Sequence, residues 1–428
     1  MTEPFVPQPP PSVTENRPPE RWLNRSVFGM GVASFFSDAG HEMATTVLPL
    51  FLLSIGAPPA ALGIIEGVAD AVASFVKIGA GWLSDRVAQR KPIAVAGYVL
   101  TGLTTGLFAL ATAWPHVLVA RIAGWFGRGI RGPVRDAMLA EAVSPEARGR
   151  AFGFHRAADT LGAIIGPLMA LGLISVLSGH DAMPAVYRHI FWLTLVPGLL
   201  AALAFALLVR ERKRTAQHAT GLFEVLGKLP VRFRWYLVGV GLFGAGDFAH
   251  SLLTLRAAQM LTPTLGAERA GQTAIALYLV HNVLYAATSY PIGALADRIG
   301  KQRLLVLGYG VAALMGIGWI FAVPAVWLLV VLFAFGGLYV AAEDTLEGAL
   351  AADLLPEDVR GTGYGVLAAV NGVGDFVSSI VVSLLWTTVS PAAGFAYAVV
   401  LFVSGAILIA RLRGGPIQDS RTISASMQ

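Results

Sequence analysis

The sequence predicts an all-α membrane protein whose twelve transmembrane helices form two pseudo-symmetric lobes of six. Hydrophobic residues make up 55% of the 428 positions and charged residues only 13%, whereas soluble domains carry roughly 25% charged residues. Twelve stretches are long and apolar enough to cross a hydrocarbon core, which takes about 20 residues of helix. Sequence features also recur about 212 residues apart, between the hydrophobic stretches. Duplication of a membrane bundle is typical of secondary transporters.

The twelve predicted spans follow one another in two sets of six. The first half contains residues 27–53, 60–80, 93–113, 116–140, 150–175 and 190–209. The second half contains residues 235–260, 271–292, 303–323, 325–350, 361–386 and 392–411. Charges interrupt the fourth, fifth, seventh, tenth and eleventh stretches, so we expect hydropathy alone to miss one or two spans.

These spans divide the chain into five parts. We expect a disordered, proline-rich cytoplasmic tail over 1–25, an N-terminal lobe over 26–209, a cytoplasmic linker over 210–234, a C-terminal lobe over 235–412 and a second cytoplasmic tail over 413–428. A short helix lying in the membrane interface is expected within the linker, over Leu222–Leu229.

Lysines and arginines predict the orientation of the chain. With the N-terminus inside, the inner segments hold most of them, including the run from Arg210 to Arg234, whereas the opposite side has only Arg188, Arg256 and Arg269. The positive-inside rule then places both termini in the cytoplasm, and we expect a bacterial cytoplasmic membrane. The basic linker is expected to contact anionic lipids rather than nucleic acid.

The clearest repeated motif lies in two loops. Gly81-Trp82-Leu83-Ser84-Asp85-Arg86 returns as Gly293-Ala294-Leu295-Ala296-Asp297-Arg298. An acid at a helix end needs a basic partner or the N-terminus of another helix. We therefore expect Asp85 and Asp297, with the arginines that follow them, to hold the cytoplasmic side closed. The alternative is a solvated loop that only sets topology.

Charges inside the spans predict the functional site, because each costs on the order of 2.5–3.5 kcal/mol unless it is paired or lines a wet cavity. Asp38, His41 and Glu42 share one face of helix 1, and Asp247 and His250 repeat the i, i+3 spacing on helix 7. We expect these five to bind substrate or coupling protons. Arg121, Arg128 and Asp159 on helices 4 and 5 are the other candidates.

A second set of charges is inverted between the halves. Arg131 and Arg135 on helix 4 correspond, at an offset of 212, to Glu343 and Glu347 on helix 10. One hypothesis is that the four residues pair across the lobes as the cytoplasmic mouth closes. The alternative is separate pairing within each lobe.

These motifs resemble those of the major facilitator superfamily. The two loops match its signature between helices 2 and 3 and between helices 8 and 9, and Arg121-x-x-Gly124-x-x-Gly127-Arg128-Gly129 resembles its helix 4 motif. Gly162-x-x-x-Gly166-Pro167 is similar to the helix 5 motif of its antiporters, although Ala170-Leu171-Gly172 stands where paired glycines are usual. The resemblance implies alternating access. The Gly166-Pro167 break is then either a hinge or a packing kink.

Three functions fit this sequence. The first is proton-coupled efflux of a small organic solute or drug. The second is export of a divalent metal or metal chelate, since the acids and histidines of helices 1 and 7 could supply a six-coordinate site. The third, a receptor or scaffold, gives no reason for so many embedded charges. Because no phosphate-binding loop or other catalytic motif is present, we expect neither an enzyme nor a cofactor.

Overall fold

The computed structural model describes residues 21–58, 60–178, 182–211 and 221–412. In the N-terminal lobe the helices are α1 (Arg25–Ser54), α2 (Ala60–Arg86), α3 (Lys91–Leu107), α4 (Trp114–Glu141), α5 (Arg148–Leu177), α6 (Met183–Leu193) and α7 (Leu195–Leu208). The linker contains α8 (Leu222–Lys228). The C-terminal lobe contains α9 (Val231–Gly244), α10 (Ser251–Leu265), α11 (Ala267–Ile299), α12 (Lys301–Ile320), α13 (Val326–Leu354), α14 (Arg360–Thr388) and α15 (Pro391–Ala410).

These helices form twelve spans in two lobes of six. The sixth span consists of α6 and α7 and begins at Met183, seven residues before the predicted start at 190. The seventh consists of α9 and α10, which are separated by an irregular segment at 245–250. The linker helix α8 lies where the interfacial helix was expected. Most of the first predicted tail, part of the linker and all of the second tail lie outside the described residues.

Hydropathy alone identifies fewer spans than expected. Seven of the described segments are long and apolar enough to cross a membrane, and they are the third, fifth, sixth, ninth, tenth, eleventh and twelfth spans. The expectation that one or two spans would be missed was therefore too low. The five spans that hydropathy misses are the first, second, fourth, seventh and eighth. The first, second and fourth carry charged residues within their length, and the irregular segment divides the seventh into two helices of 14 and 15 residues.

The lobes meet mainly through two helix pairs, α2 with α14 and α5 with α11. We call the end of the bundle that carries Asp85 and Asp297 the motif end, and the opposite one the far end. Near the motif end, one apolar core joins residues of both lobes, including Phe152 and Tyr364. A second core, with Phe51 and Phe191, contains only residues of the N-terminal lobe. The lobes are thus joined at the motif end, whereas the core around Phe51 belongs to one lobe alone.

Candidate functional site

At the motif end, Asp85 binds the N-terminus of a helix in the other lobe. Its carboxylate accepts hydrogen bonds from the backbone N–H groups of Gly361 and Thr362, at 2.8 and 2.6 Å, and from the Thr362 hydroxyl at 2.8 Å. The first N–H groups of a helix have no partner within that helix, and its dipole favours a negative charge there. Asp85 therefore caps α14 from outside its own lobe.

Asp297 makes the reciprocal contact. Its carboxylate accepts from the backbone N–H groups of Gly149 and Arg150, at 2.8 and 3.0 Å, and from the Arg150 guanidinium at 3.0 Å. Each lobe thus caps one helix of the other. The Asp85 side chain is 7% exposed and the Asp297 side chain 4%, unlike those of a solvated loop, and the role of both in gating stays a prediction.

Glycines allow these helices to approach closely. A Cβ atom on Gly81 would meet the backbone of Gly361, and one on Gly149 would meet the backbone of Gly293. The arginines predicted to assist the aspartates lie elsewhere. Arg86 packs over the Trp82 ring at 3.7 Å, and Arg298 is exposed.

Two further acids hold the motif end together, and neither was predicted from the sequence. Asp353 on α13 contacts Arg148 of the other lobe and Lys301 of its own, both at 2.7 Å. Glu141 on α4 contacts Arg90 of its own lobe at 2.8 Å and Arg360 of the other at 3.7 Å. Glu141 and Asp353 lie 212 residues apart, and so do the arginines Arg148 and Arg360 that contact them across the lobes. The duplication is therefore a signal from which these pairs could have been predicted.

Trp22, just before α1, adds an aromatic contact across the lobes. Its ring stacks on Tyr290 of α11 at 5.4 Å between centroids and lies edge-on to Phe154 of α5 at 6.2 Å. Asn24 joins this segment to the end of α4, because its amide donates to the carbonyl of Ala142 at 2.7 Å. The segment before α1 therefore packs against both lobes at the motif end.

The predicted cluster on helix 1 lies against α4. Asp38 is buried and accepts a hydrogen bond from Arg128 at 2.7 Å, with Arg131 3.9 Å away. His41 lies 3.9 Å from Glu42 and packs against the Trp125 ring at 4.7 Å between centroids. Two guanidinium groups therefore offset the charge of Asp38, whereas Glu42 is one-third exposed.

Arg121 forms a similar pair with an acid of α2. Its guanidinium donates to both carboxylate oxygens of Glu66, at 2.8 and 2.7 Å, and lies 3.9 Å from the centre of the Trp125 ring. Asp70, also on α2, accepts a hydrogen bond from Trp125. In the N-terminal lobe, most embedded acids are thus matched by arginines of the same lobe.

On α5, Asp159 takes part in a charge bridge between the lobes. Arg156 lies 3.6 Å from Asp159 and 3.3 Å from Asp344 of α13. Further along α5, Gly162 and Gly166 pack against the backbone of α1, where a Cβ atom on either would clash with Phe35 or Ala39. Close helix packing thus explains both glycines, and a hinge at Pro167 stays a prediction.

The predicted pair on helix 7 lies in a break, not on a continuous helix. Asp247 and His250 fall between the end of α9 at Gly244 and the start of α10 at Ser251, so the assumption of helical i, i+3 spacing was wrong. Both residues nevertheless meet at Tyr339 of α13. The tyrosine hydroxyl donates to Asp247 at 2.8 Å and lies 2.7 Å from Nε2 of His250.

The inverted charges on helices 4 and 10 bind within their own lobes in this conformation. Arg135 pairs with Asp136 at 2.9 Å, and Arg131 lies over the Tyr98 ring at 4.2 Å. Glu347 accepts from the Tyr309 hydroxyl at 2.5 Å and the Asn371 amide at 2.7 Å. This is the intralobe alternative, and pairing across the lobes stays a prediction for another conformation.

The metal hypothesis receives no support from the described side chains. Within the ranges that the structure describes, no group of three or more histidine, aspartate and glutamate residues is placed to hold a metal ion.

The family follows from sequence comparison. The sequence model of the family described as "Major Facilitator Superfamily" matches residues 30–325 and 257–427 of this chain. The chain belongs to this superfamily. It is therefore a multi-pass membrane transporter for a small-molecule substrate and not an enzyme, with the twelve-helix, two-lobe fold that its motifs predicted.

The proteins that are similar to this chain have different described functions. This chain is 29% identical over 400 residues to an uncharacterized MFS-type transporter of Methanocaldococcus jannaschii, and the alignment covers 93% of this chain and 98% of the relative. It is 26% identical to the multidrug resistance protein MdtH of Photorhabdus laumondii, covering 71% and 73% of the two chains. The fucose:proton symporter FucP of E. coli shares its fold, with a TM-score of 0.73, 14% identity and coverage of 91% and 98%.

Proposed function

We propose that this protein is a proton-coupled exporter of a small organic solute or drug. One observation carries the proposal. The lobes are sealed at the motif end by reciprocal contacts of Asp85 and Asp297, while partly exposed carboxylates of both lobes, including Glu42 and Asp344, lie within the spans. A transporter that exchanges protons for solute needs such carboxylates in contact with water on one side of the membrane at a time.

The orientation follows from the distribution of basic residues. Arginines and lysines concentrate in the motif-end loops and in the linker, so by the positive-inside rule we assign the motif end and both termini to the cytoplasm. In that orientation the sealed side is the inner one. The conformation described above is then the outward-facing state, from which an exporter releases its solute and takes up protons.

The direction of transport is supported by the relatives and by the helix 5 motif. The multidrug resistance protein of Photorhabdus laumondii aligns with 71% of this chain, and Gly162, Gly166 and Pro167 resemble the motif of antiporters. The named residues then have distinct roles. Asp38, Glu42, Asp247 and His250 take up and release protons, Arg121, Arg128 and Asp159 orient them and the solute, and the contacts of Asp85 and Asp297 close the inner gate.

Transport into liposomes tests the proposal. The purified protein, reconstituted with a pH indicator inside, receives a panel of organic cations, anions and neutral drugs chosen by their shift of the melting temperature. We expect at least one solute to dissipate an imposed pH gradient, and the gradient to drive that solute uphill. Solute flux that ignores the gradient in every case would contradict proton coupling, and stabilisation by transition metals alone would favour the metal alternative.

A further inference from the structure

A cavity of about 450 Å³ opens at the motif end of the N-terminal lobe. Its walls come from the segment that leads into α1, from the end of α4 and from residues 210–211, where the linker begins. None of the residues proposed above to bind solute or protons lines this cavity. It is therefore separate from the proposed transport site.

The lining of the cavity carries more positive than negative charge. It contains four arginines and two glutamates, which are Arg21, Arg25, Arg90, Arg210, Glu141 and Glu211. Both glutamates already have partners. Glu141 binds the Arg90 guanidinium at 2.8 Å, and Glu211 accepts from the backbone N–H groups of Arg90 and Lys91 where α3 begins, the second at 3.0 Å. Neither acid is thus free to balance the other arginines.

Three of the arginines have no counter-charge from the protein. Arg25 donates to the carbonyl of Leu207 at 2.9 Å, and a neutral acceptor leaves the charge of Arg25 uncompensated. Among the residues that the structure describes, neither Arg21 nor Arg210 pairs with a carboxylate. The backbone of Arg210 is held in place, because its N–H donates to the Ser26 hydroxyl at 3.0 Å. The cavity is therefore suited to an anion.

Phosphate is the anion that several arginines bind best. A guanidinium group donates paired, charge-assisted hydrogen bonds to phosphate oxygens, and a phosphate group has more acceptor oxygens than a carboxylate, so it can contact several arginines at once. Apolar side chains border the same cavity. Leu23 lines it, and Phe28, one turn further along α1, and Leu207 are exposed as well. An anionic phospholipid matches both features, with its phosphate among the arginines and its acyl chains against these apolar side chains.

We propose that this cavity is a phosphate-binding site, filled by the headgroup of an anionic phospholipid or by a soluble phosphate ester. Its ligand joins the segment before α1 to the beginning of the linker. Trp22, next to Arg21, stacks on Tyr290 of the other lobe at 5.4 Å between centroids, so the ligand also stabilises a segment that contacts both lobes at the motif end. The site depends on neither the coupling ion nor the direction of transport.

The melting temperature of delipidated protein in a non-ionic detergent tests the site. The probes are dioleoyl-phosphatidylglycerol, dioleoyl-phosphatidylcholine and glycerol 1-phosphate, since a ligand that binds only the folded protein raises the melting temperature as its concentration rises. We expect phosphatidylglycerol to stabilise the wild-type protein. The double variant Arg21→Gln, Arg210→Gln loses two charge-assisted contacts and should bind this lipid at least about tenfold more weakly.

The matched control removes two other exposed arginines from the same end of the bundle. Arg303 at the start of α12 and Arg411 after α15 are exposed and do not line the cavity, and Gln302 joins these two helix ends by donating to the carbonyl of Ile409 at 2.8 Å. The double variant Arg303→Gln, Arg411→Gln should therefore bind phosphatidylglycerol as the wild type does. Equal weakening in the two double variants would show a general effect of charge and would overturn the proposal.

The response to the three probes identifies the source of the phosphate. Stabilisation by phosphatidylglycerol alone would assign the site to a lipid, and stabilisation by glycerol 1-phosphate, lost in the Arg21 and Arg210 double variant, would show that a soluble ester fits. Equal stabilisation by phosphatidylcholine would mean that acyl chains bind without an anionic headgroup, and this result, or no response to either anionic probe, would overturn the proposal. Should the double variant fail to fold, Arg210→Gln alone should still weaken binding several-fold relative to Arg411→Gln, and equal binding by these two would count against the site.

Discussion

The embedded carboxylates have different kinds of partner in the interiors of the two lobes. In the N-terminal lobe, guanidinium groups face carboxylates directly, as in Asp38 with Arg128 and Glu66 with Arg121. In the C-terminal lobe, Asp247 and Glu347 are held by tyrosine hydroxyls and an amide. The duplication therefore preserved positions while charges changed sign, since Arg131 and Arg135 correspond to Glu343 and Glu347.

This difference indicates a division of roles. An ion pair between side chains of one lobe moves with that lobe and keeps its compensation as the lobes rock. An acid held only by neutral groups depends on a proton, so its state responds to the side of the membrane it faces.

Removing an acid should be far more damaging in the N-terminal lobe than in the C-terminal lobe. Asp38→Asn leaves the buried Arg131 and its neighbour Arg128 without their shared counter-charge, and an uncompensated buried charge costs about 3–5 kcal/mol. Glu347→Gln affects only neutral partners, the Tyr309 hydroxyl and the Asn371 amide, so it should cost about 0.5–1.5 kcal/mol. Denaturant unfolding of the purified variants measures both, and equal losses would refute the contrast.

Gradient-driven flux of Asp38→Asn separates a role of this residue in proton coupling from a role in stability. Because Asp38 is also proposed to carry a coupling proton, Asp38→Asn should lose uphill transport while solute binding persists. Loss of binding together with stability would instead assign Asp38 to the structure of the lobe. Normal binding and normal uphill flux would remove it from both roles.

The two aspartates of the motif end should contribute comparably to closure. Asp85→Asn and Asp297→Asn each weaken charge-assisted hydrogen bonds to a helix N-terminus, and bonds to charged groups contribute about 1.5–3 kcal/mol each. Closure should therefore become less populated, by roughly tenfold or more per substitution. The chain has no cysteine, so cysteine pairs introduced at the motif ends of α4 and α13 report closure by cross-linking. Unchanged cross-linking and transport in the double variant would exclude this role.

The two ion pairs that join the lobes should differ in their coupling energy. Arg148 and Asp353 are 2.7 Å apart, whereas Arg360 and Glu141 are 3.7 Å apart. Double-mutant cycles on the cross-linking equilibrium should give a coupling of about 0.5–2 kcal/mol for the first pair and less for the second. For Arg135 and Glu347, which bind within their own lobes, a charge swap should rescue nothing in this conformation. Rescue of transport by the swap would instead establish pairing in the other state.

The sequence predicted the architecture, and it pointed to the two aspartates of the motif end, because both are repeated. Asp85 and Asp297 sit at equal positions in two copies, and a helix-end acid has few possible partners. The partners of Asp38 could not be predicted, because they depend on how α1 and α4 cross. The break at 245–250 was also missed, since the spacing of Asp247 and His250 suits a helix and the serines that stabilise the break come from α14.

The smallest effect is expected for an ion pair outside the spans. Glu224 and Lys228 on α8 lie 2.6 Å apart, and the hydrogen bond and charge of Lys228 hold the pKa of Glu224 below its usual range. Any stability that this pair contributes is present above the pKa of Glu224 in the unfolded chain. It disappears as pH falls through the lowered pKa of Glu224 in the folded protein. Because both side chains are exposed, water and salt screen them. Lys228→Ala should therefore raise the pKa of Glu224 towards its ordinary value, followed by carbon-13 NMR of its carboxyl group, and leave unfolding and transport unchanged. A transport defect in this variant would mean that the linker acts on the gate, and the contrast between buried and exposed pairs would no longer hold.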